Sequence, residues 1–187
     1  NLNKTRRDPE VVKQELDAAR LHLAWCCRLY RRQVEKGLYL LHEHPNTATS
    51  WTERCIRETL ALRGVGRAVS DQCQFGQESD QGDPVKKPTG FMSNSQEILR
   101  TLAVRCMRKA GGCSRRKGGH HVPCLGSTAR RAAIFQDELC VGILQGLKRQ
   151  LIADGRMKEN EYGLSTHSDG GDELRAQAGT LADPSRG

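Results

Sequence analysis

The feature that most constrains this fold is a long amphipathic pattern that stops at a glycine and hands the chain straight to a short apolar run. Asp8-Pro9-Glu10 supplies a capping acceptor, a proline whose φ is preset for the first helical turn, and an acid beside the positive end of the helix. Val12, Leu16, Ala19, Leu23, Cys26, Tyr30 and Val34 then recur at spacings of three and four, which predicts one helix up to a stop at Gly37. Leu38-Tyr39-Leu40-Leu41 follows between Gly37 and Pro45. This run is too short for a helix and is expected to be a strand buried on both faces, reaching to about Glu43. A helix feeding directly into such a strand points to a layered α/β fold.

The remaining pattern extends that layer. Ser50 and Glu53 match a capping box, which predicts a second helix over 51–63. Residues 65–73 read as a strand, 76–84 as a polar tip, and 89–93 as the returning strand of a hairpin. Ser95 caps a third helix carrying Glu97, Ile98 and Leu102, and an irregular glycine-rich basic stretch then runs to about Thr128. A last helix covers 137–153, with Leu139, Ile143, Leu147 and Leu151 every four residues. Its acids Asp137 and Glu138 lie at the start and Lys148 and Arg149 near the end, as the helix dipole favours. The expected sheet has strand 38–43 parallel to strand 65–70 through a right-handed crossover helix, with the strand near Thr89 antiparallel to the second.

Length and charge bound the function. A chain of 187 residues suits one domain, and 30 Lys and Arg against 22 Asp and Glu leave a formal charge of +8. The charge is uneven: residues 154–187 hold four basic and seven acidic residues, so the body up to 153 is the strongly basic part. The tail is rich in Gly, Ser and Asp without apolar periodicity, and is expected to be disordered. No window approaches the roughly 18 apolar residues of a membrane span, and Asn1-Leu2-Asn3-Lys4 begins no secretory run. The chain therefore reads as a fragment of a longer intracellular polypeptide, with its eight cysteines reduced.

Three groups of residues can carry chemistry. His42-Glu43-His44-Pro45 leaves the first strand at its carboxyl end, where ligands bind in open α/β sheets, and alternation puts His42 and His44 on one side and Glu43 on the other. A ligand cleft, a metal site and a plain turn with satisfied histidines are all open readings. Cys106, Cys113, His120, His121 and Cys124 share a loop with Gly111, Gly112, Gly118 and Gly119, and could close a tetrahedral zinc site, although the only short spacing is His121-x-x-Cys124. Finally, residues 100–131 contain nine Lys or Arg and no acid, including Arg115-Arg116-Lys117 and Arg130-Arg131. Such a segment attracts phosphate backbones, and without interleaved aromatics it offers no base-stacking platform. The alternatives are a merely polar loop around buried thiols and a solvated basic surface.

Taken together, Tyr39-Leu40-Leu41-His42-Glu43-His44-Pro45, Asp71-Gln72-Cys73-Gln74-Phe75-Gly76 and Lys87-Pro88-Thr89-Gly90-Phe91-Met92-Ser93-Asn94-Ser95 resemble the second half of a degenerate cytosine-5 DNA methyltransferase. The same order with a following Cys and His-rich loop resembles a domain of copia-type retroelement polyproteins abundant in dinoflagellates. Glu43 matches the Glu of the family's Glu-Asn-Pro motif, and His44 stands where that motif has Asn. The resemblance implies a partial Rossmann-like sheet over 1–153, Glu43 and His44 at the catalytic position, and nucleic acid and other domains of the same polyprotein as partners. It implies S-adenosylmethionine only where an upstream half supplies the methyl-donor strand and the attacking Cys, so the chain as given is expected to be catalytically incomplete. The alternative function is a small basic module, zinc-stapled, serving an integrase or reverse-transcriptase polyprotein.

Overall fold

The computed structural model describes residues 7–159. Five α-helices and three strands occur among them: α1 (Pro9–Glu35), β1 (Leu41–Pro45), α2 (Arg54–Leu60), β2 (Gly66–Asp71), β3 (Pro88–Ser93), α3 (Gln96–Leu102), α4 (Gly126–Arg131) and α5 (Asp137–Ala153). Short 3-10 turns at Thr49–Thr52 and Gln72–Phe75 precede α2 and follow β2. The fold is thus mixed α/β with a small antiparallel sheet, and the acidic tail assigned to 154–187 lies, from residue 160 onward, outside the described residues.

The strongest local signals hold. Asp8 caps α1 by accepting from Glu10 N at 2.8 Å, and Ser95 caps α3 by accepting from Ile98 N at 3.2 Å. The capping box at Ser50 does not form: Ser50 Oγ is buried without a partner, Glu53 turns to Arg20 at 3.2 Å, and the helix proper covers only Arg54–Leu60. The first strand also starts later than its apolar run. Leu40 N and Leu38 O are instead held by the Asn94 side chain, each at 2.9 Å, so an amide replaces the ladder there.

Strand order is β1-β3-β2, and both ladders are antiparallel. The expected hairpin of β2 with β3 is present. The expected parallel pair is not, because β3 lies between β1 and β2, which share a direction without touching edges. Burial explains the order. Phe91 and Met92 of β3 are both 0% exposed, whereas β1 carries Glu43 and His44 and β2 carries Arg67, side chains that suit an edge.

Alternation along the strands splits the core in two. On one face Phe91, with Leu41 and Ala68 beside it, packs against Ile98, Leu99 and Leu102 of α3 and Leu139 of α5. On the other, Met92 packs with Trp51, Ile56 and Cys27 under α1 and α2. Helices therefore cover both faces of the sheet. Because β1 and β2 run the same way, their carboxyl ends emerge on one side of the molecule, where β3 begins.

Candidate metal centre

Residues just past the carboxyl end of β2 meet the glycine-rich loop. Cys73 sits on the 3-10 turn Gln72–Phe75, and Cys106, Cys113 and His121 come from the loop, so that three sulfurs and one imidazole nitrogen all lie within 4.8 Å of one another. Cys106 Sγ is 3.9 Å from Cys113 Sγ and 3.6 Å from His121 Nε2. Metal–sulfur bonds of about 2.3 Å and metal–nitrogen bonds of about 2.0 Å, arranged tetrahedrally, give edges of about 3.8 Å between sulfurs and about 3.5 Å between sulfur and nitrogen. The two edges at Cys106 thus match a tetrahedral site, and with all four donors within 4.8 Å of one another the group could hold a metal ion. Four donors close the coordination shell, which is the structural rather than the catalytic form.

The surroundings suit thiolates. Gln74 Nε2 donates to Cys73 Sγ at 3.4 Å and to Cys113 Sγ at 3.6 Å, and Ser114 N donates to Cys106 Sγ at 3.3 Å. Such outer bonds fix ligand orientation and offset the charge collected on sulfur. Burial pushes the metal-free Cys73 thiol up to about 12. At Cys106 burial also pushes upward, but hydrogen bonds from the Ser114 hydroxyl and N–H, with those of the Arg108 backbone and Cys113, together bring the thiol down to about 7. His121 is lowered, by burial first and by the charge of Lys86 next, which keeps its nitrogen free to ligate.

Of the five loop residues the sequence offers as ligands, the structure gathers three. Cys124 is half-buried outside the group, and the exposed His120 instead forms an isolated bridge with Gly112, which pins the loop neck. The fourth ligand, Cys73, belongs to a segment remote in sequence. Its available signal was position: the last residue of the strand expected over 65–73.

The basic segment divides into struts and free cations. Arg115 is only 11% exposed and joins Glu78 Oε1 at 2.5 Å, Gly118 O at 2.7 Å and Gly82 O at 2.9 Å. Arg131 pairs with Asp80 at 2.5 Å, and Lys117, more exposed, stands 3.7 Å from Glu78. Arg108, Lys109, Arg116 and Arg130 are exposed and make no ion pair among the described residues.

The expected strand end is instead the strand itself: His42 and His44 lie within β1, because the ladder starts only at Leu41, and they line a cleft of about 570 Å³ against α1 with Tyr30, Cys26 and Leu23. Tyr30 Oη lies 3.0 Å from His42 Nδ1, the two imidazoles stack at 5.9 Å, and the Trp51 edge stands 5.3 Å from His42. Burial, then the neighbouring His44, pushes His42 down to about 4, so the imidazole is neutral. Glu43 lies opposite Phe91 in the ladder and does not line the cleft, so the structure does not bring Glu43 and His44 together. Comparison of the chain with protein-family models, curated proteins and solved structures found no match, so the geometry of these groups is what a functional reading rests on.

Proposed function

We propose that this chain is a basic, zinc-stapled module that contacts nucleic acid through phosphates. The observation that carries the reading is the Cys73, Cys106, Cys113 and His121 group, which ties the glycine-rich loop to the end of β2. That loop and the short α4 behind it present Arg108, Lys109, Arg116, Lys117 and Arg130 to solvent. Zinc bound there fixes the loop and does no chemistry on a substrate; Arg115 and Arg131 brace the scaffold through Glu78 and Asp80. Without aromatic platforms, affinity comes from charge and counterion release and carries no choice of sequence.

The methyltransferase-like reading is proposed alongside it, as a catalytically incomplete part of a retroelement-derived polyprotein. The shared direction of β1 and β2, with helices on both faces of the sheet and Glu43 in the middle of β1, is what supports it. The missing ladder between β1 and β2 counts against it. No described helix is long and apolar enough to cross a membrane, and all eight cysteines are unbridged, which suits the reducing interior of a cell.

The test combines elemental analysis with anisotropy titrations on a labelled duplex at several salt concentrations. Bound zinc, and a log K that falls steeply with log salt, are expected. Changing Arg116, Lys117 and Arg130 to Gln should weaken binding to every duplex alike and flatten the slope by up to about three contacts. Unchanged binding in that variant, or a loss confined to one sequence, overturns the nucleic-acid reading.

A further inference from the structure

We propose that Cys106 and Cys113 form a peroxide-sensitive pair whose oxidation to a disulfide expels the metal, an inference that deepens the metal reading above and rests on it. The two sulfurs are already 3.9 Å apart, and a disulfide needs them to close to about 2.05 Å. Both belong to one loop, and the chain between them contains Gly111 at φ +78 and Gly112, a flexible span that can absorb the movement. Cys73 is anchored differently, on the turn that directly follows β2, and is 0% exposed. Cys113 is equally buried, whereas Cys106 keeps 8% of its surface open. Cys106 is thus the sulfur that a small oxidant reaches first. Ser114 directs its backbone N–H at that sulfur at 3.3 Å, and ligation of the metal itself requires the thiolate form that attacks peroxide.

The chemistry balances with hydrogen peroxide as oxidant. The Cys106 thiolate attacks one peroxide oxygen, the O–O bond breaks, and hydroxide leaves to take a proton from solvent, giving a sulfenic acid on Cys106. The Cys113 thiolate then attacks the Cys106 sulfur; the S–S bond forms, the S–O bond breaks, and the second hydroxide is protonated. Two thiolates lose two electrons in total and peroxide becomes two waters. Cys73 and His121 remain as a two-ligand remnant that cannot hold the ion. The loop then loses its tie to β2 at Cys73, while Arg115 still holds Glu78 and Val122 N still reaches Pro84 O at 3.1 Å. The expected result is a loosened loop within an intact sheet.

The test uses the zinc-loaded chain and a small excess of hydrogen peroxide. Zinc release is followed by the absorbance of 4-(2-pyridylazo)resorcinol, and disulfides are mapped by peptide mass spectrometry. One zinc per chain should leave in step with a linked Cys106–Cys113 peptide, and a phosphine reductant with added zinc should restore the starting state. In Cys113→Ser the linked peptide should vanish and Cys106 should progress to sulfinic acid. A first disulfide elsewhere, for instance between Cys27 and Cys55, or zinc that stays bound through the oxidation, overturns the inference and leaves the metal reading standing. A chain that takes up no zinc yet links Cys106 to Cys113 overturns the metal reading instead.

Discussion

The carboxylate of Asp71 accepts the backbone N–H of Cys106 at 2.9 Å, fastening the first loop ligand of the metal group to the last residue of β2. The same oxygen accepts from Arg105 Nε at 2.9 Å, and the Asp71 side chain is fully buried. Removing it leaves a buried amide and a guanidinium without their acceptor. Asp71→Ala should therefore cost about 2–4 kcal/mol in chemical denaturation and weaken zinc by roughly 10–100-fold in a competitive chelator titration. An unchanged zinc affinity would show that the ligands orient themselves without this bond.

The ligand set itself is open to a contrast of variants. Cys73→Ser should lower zinc affinity by more than the roughly 100-fold that loss of a supporting residue costs, and should lower the melting temperature, since metal binding energy is folding energy at a closed site. Cys124→Ser and His120→Ala should leave both unchanged, because neither side chain belongs to the group. Calorimetry with and without a chelator checks all three.

His42 makes stability depend on pH. Its folded value of about 4 lies below the ordinary value of about 6.5 for an unfolded histidine. Between those values the unfolded chain binds a proton that the folded chain does not, so the contribution is present above about pH 6.5 and is lost as pH falls toward 4. The full effect is on the order of 3 kcal/mol. Urea melts from pH 7 to pH 4 should show a decline that His42→Gln flattens.

At the contact of α5 with α3, close approach overrides helix propensity. A Cβ at Gly146 would stand 2.8 Å from the Ile98 Cα and 3.2 Å from the Glu97 carbonyl oxygen, backbone atoms that cannot swing aside. Alanine would otherwise favour the helix by about 1 kcal/mol. Gly146→Ala should instead destabilise the chain by about 1–3 kcal/mol in a denaturant melt.

What the sequence disclosed was mostly local. The Asp8 cap, the spacing of apolar residues in α1 and α5, and the turn between β2 and β3 are set by neighbours a few positions away, and each lies close to where the pattern put it. The position of β3 between β1 and β2 depends on which strand is buried on both faces. That comparison sets Phe91 and Met92 against the charged residues of two other segments, and only the packed chain makes it. The same holds at the site. The spacing of Cys106, Cys113 and His121 was visible within one loop, but Cys73 reaches them only through the fold. Arg115 looked like its neighbour Arg116 because the acid that occupies it, Glu78, lies in the distant hairpin tip.

The central position of β3 also sets an order of events at the ribosome. Among the described residues, strands 41–45 and 66–71 have their ladders only with residues 88–93, which are synthesised after both. Until that third segment emerges, the nascent chain holds two strands with open hydrogen-bonding edges and the apolar side chains of Trp51 and Ile56 uncovered by Met92. Arrival of β3 lets both ladders close and brings Met92 to Trp51 and Ile56, whereas the Phe91 face waits for α3 and α5. A chain terminated before Pro88 should be recovered in the insoluble fraction, and one extended through α5 should not.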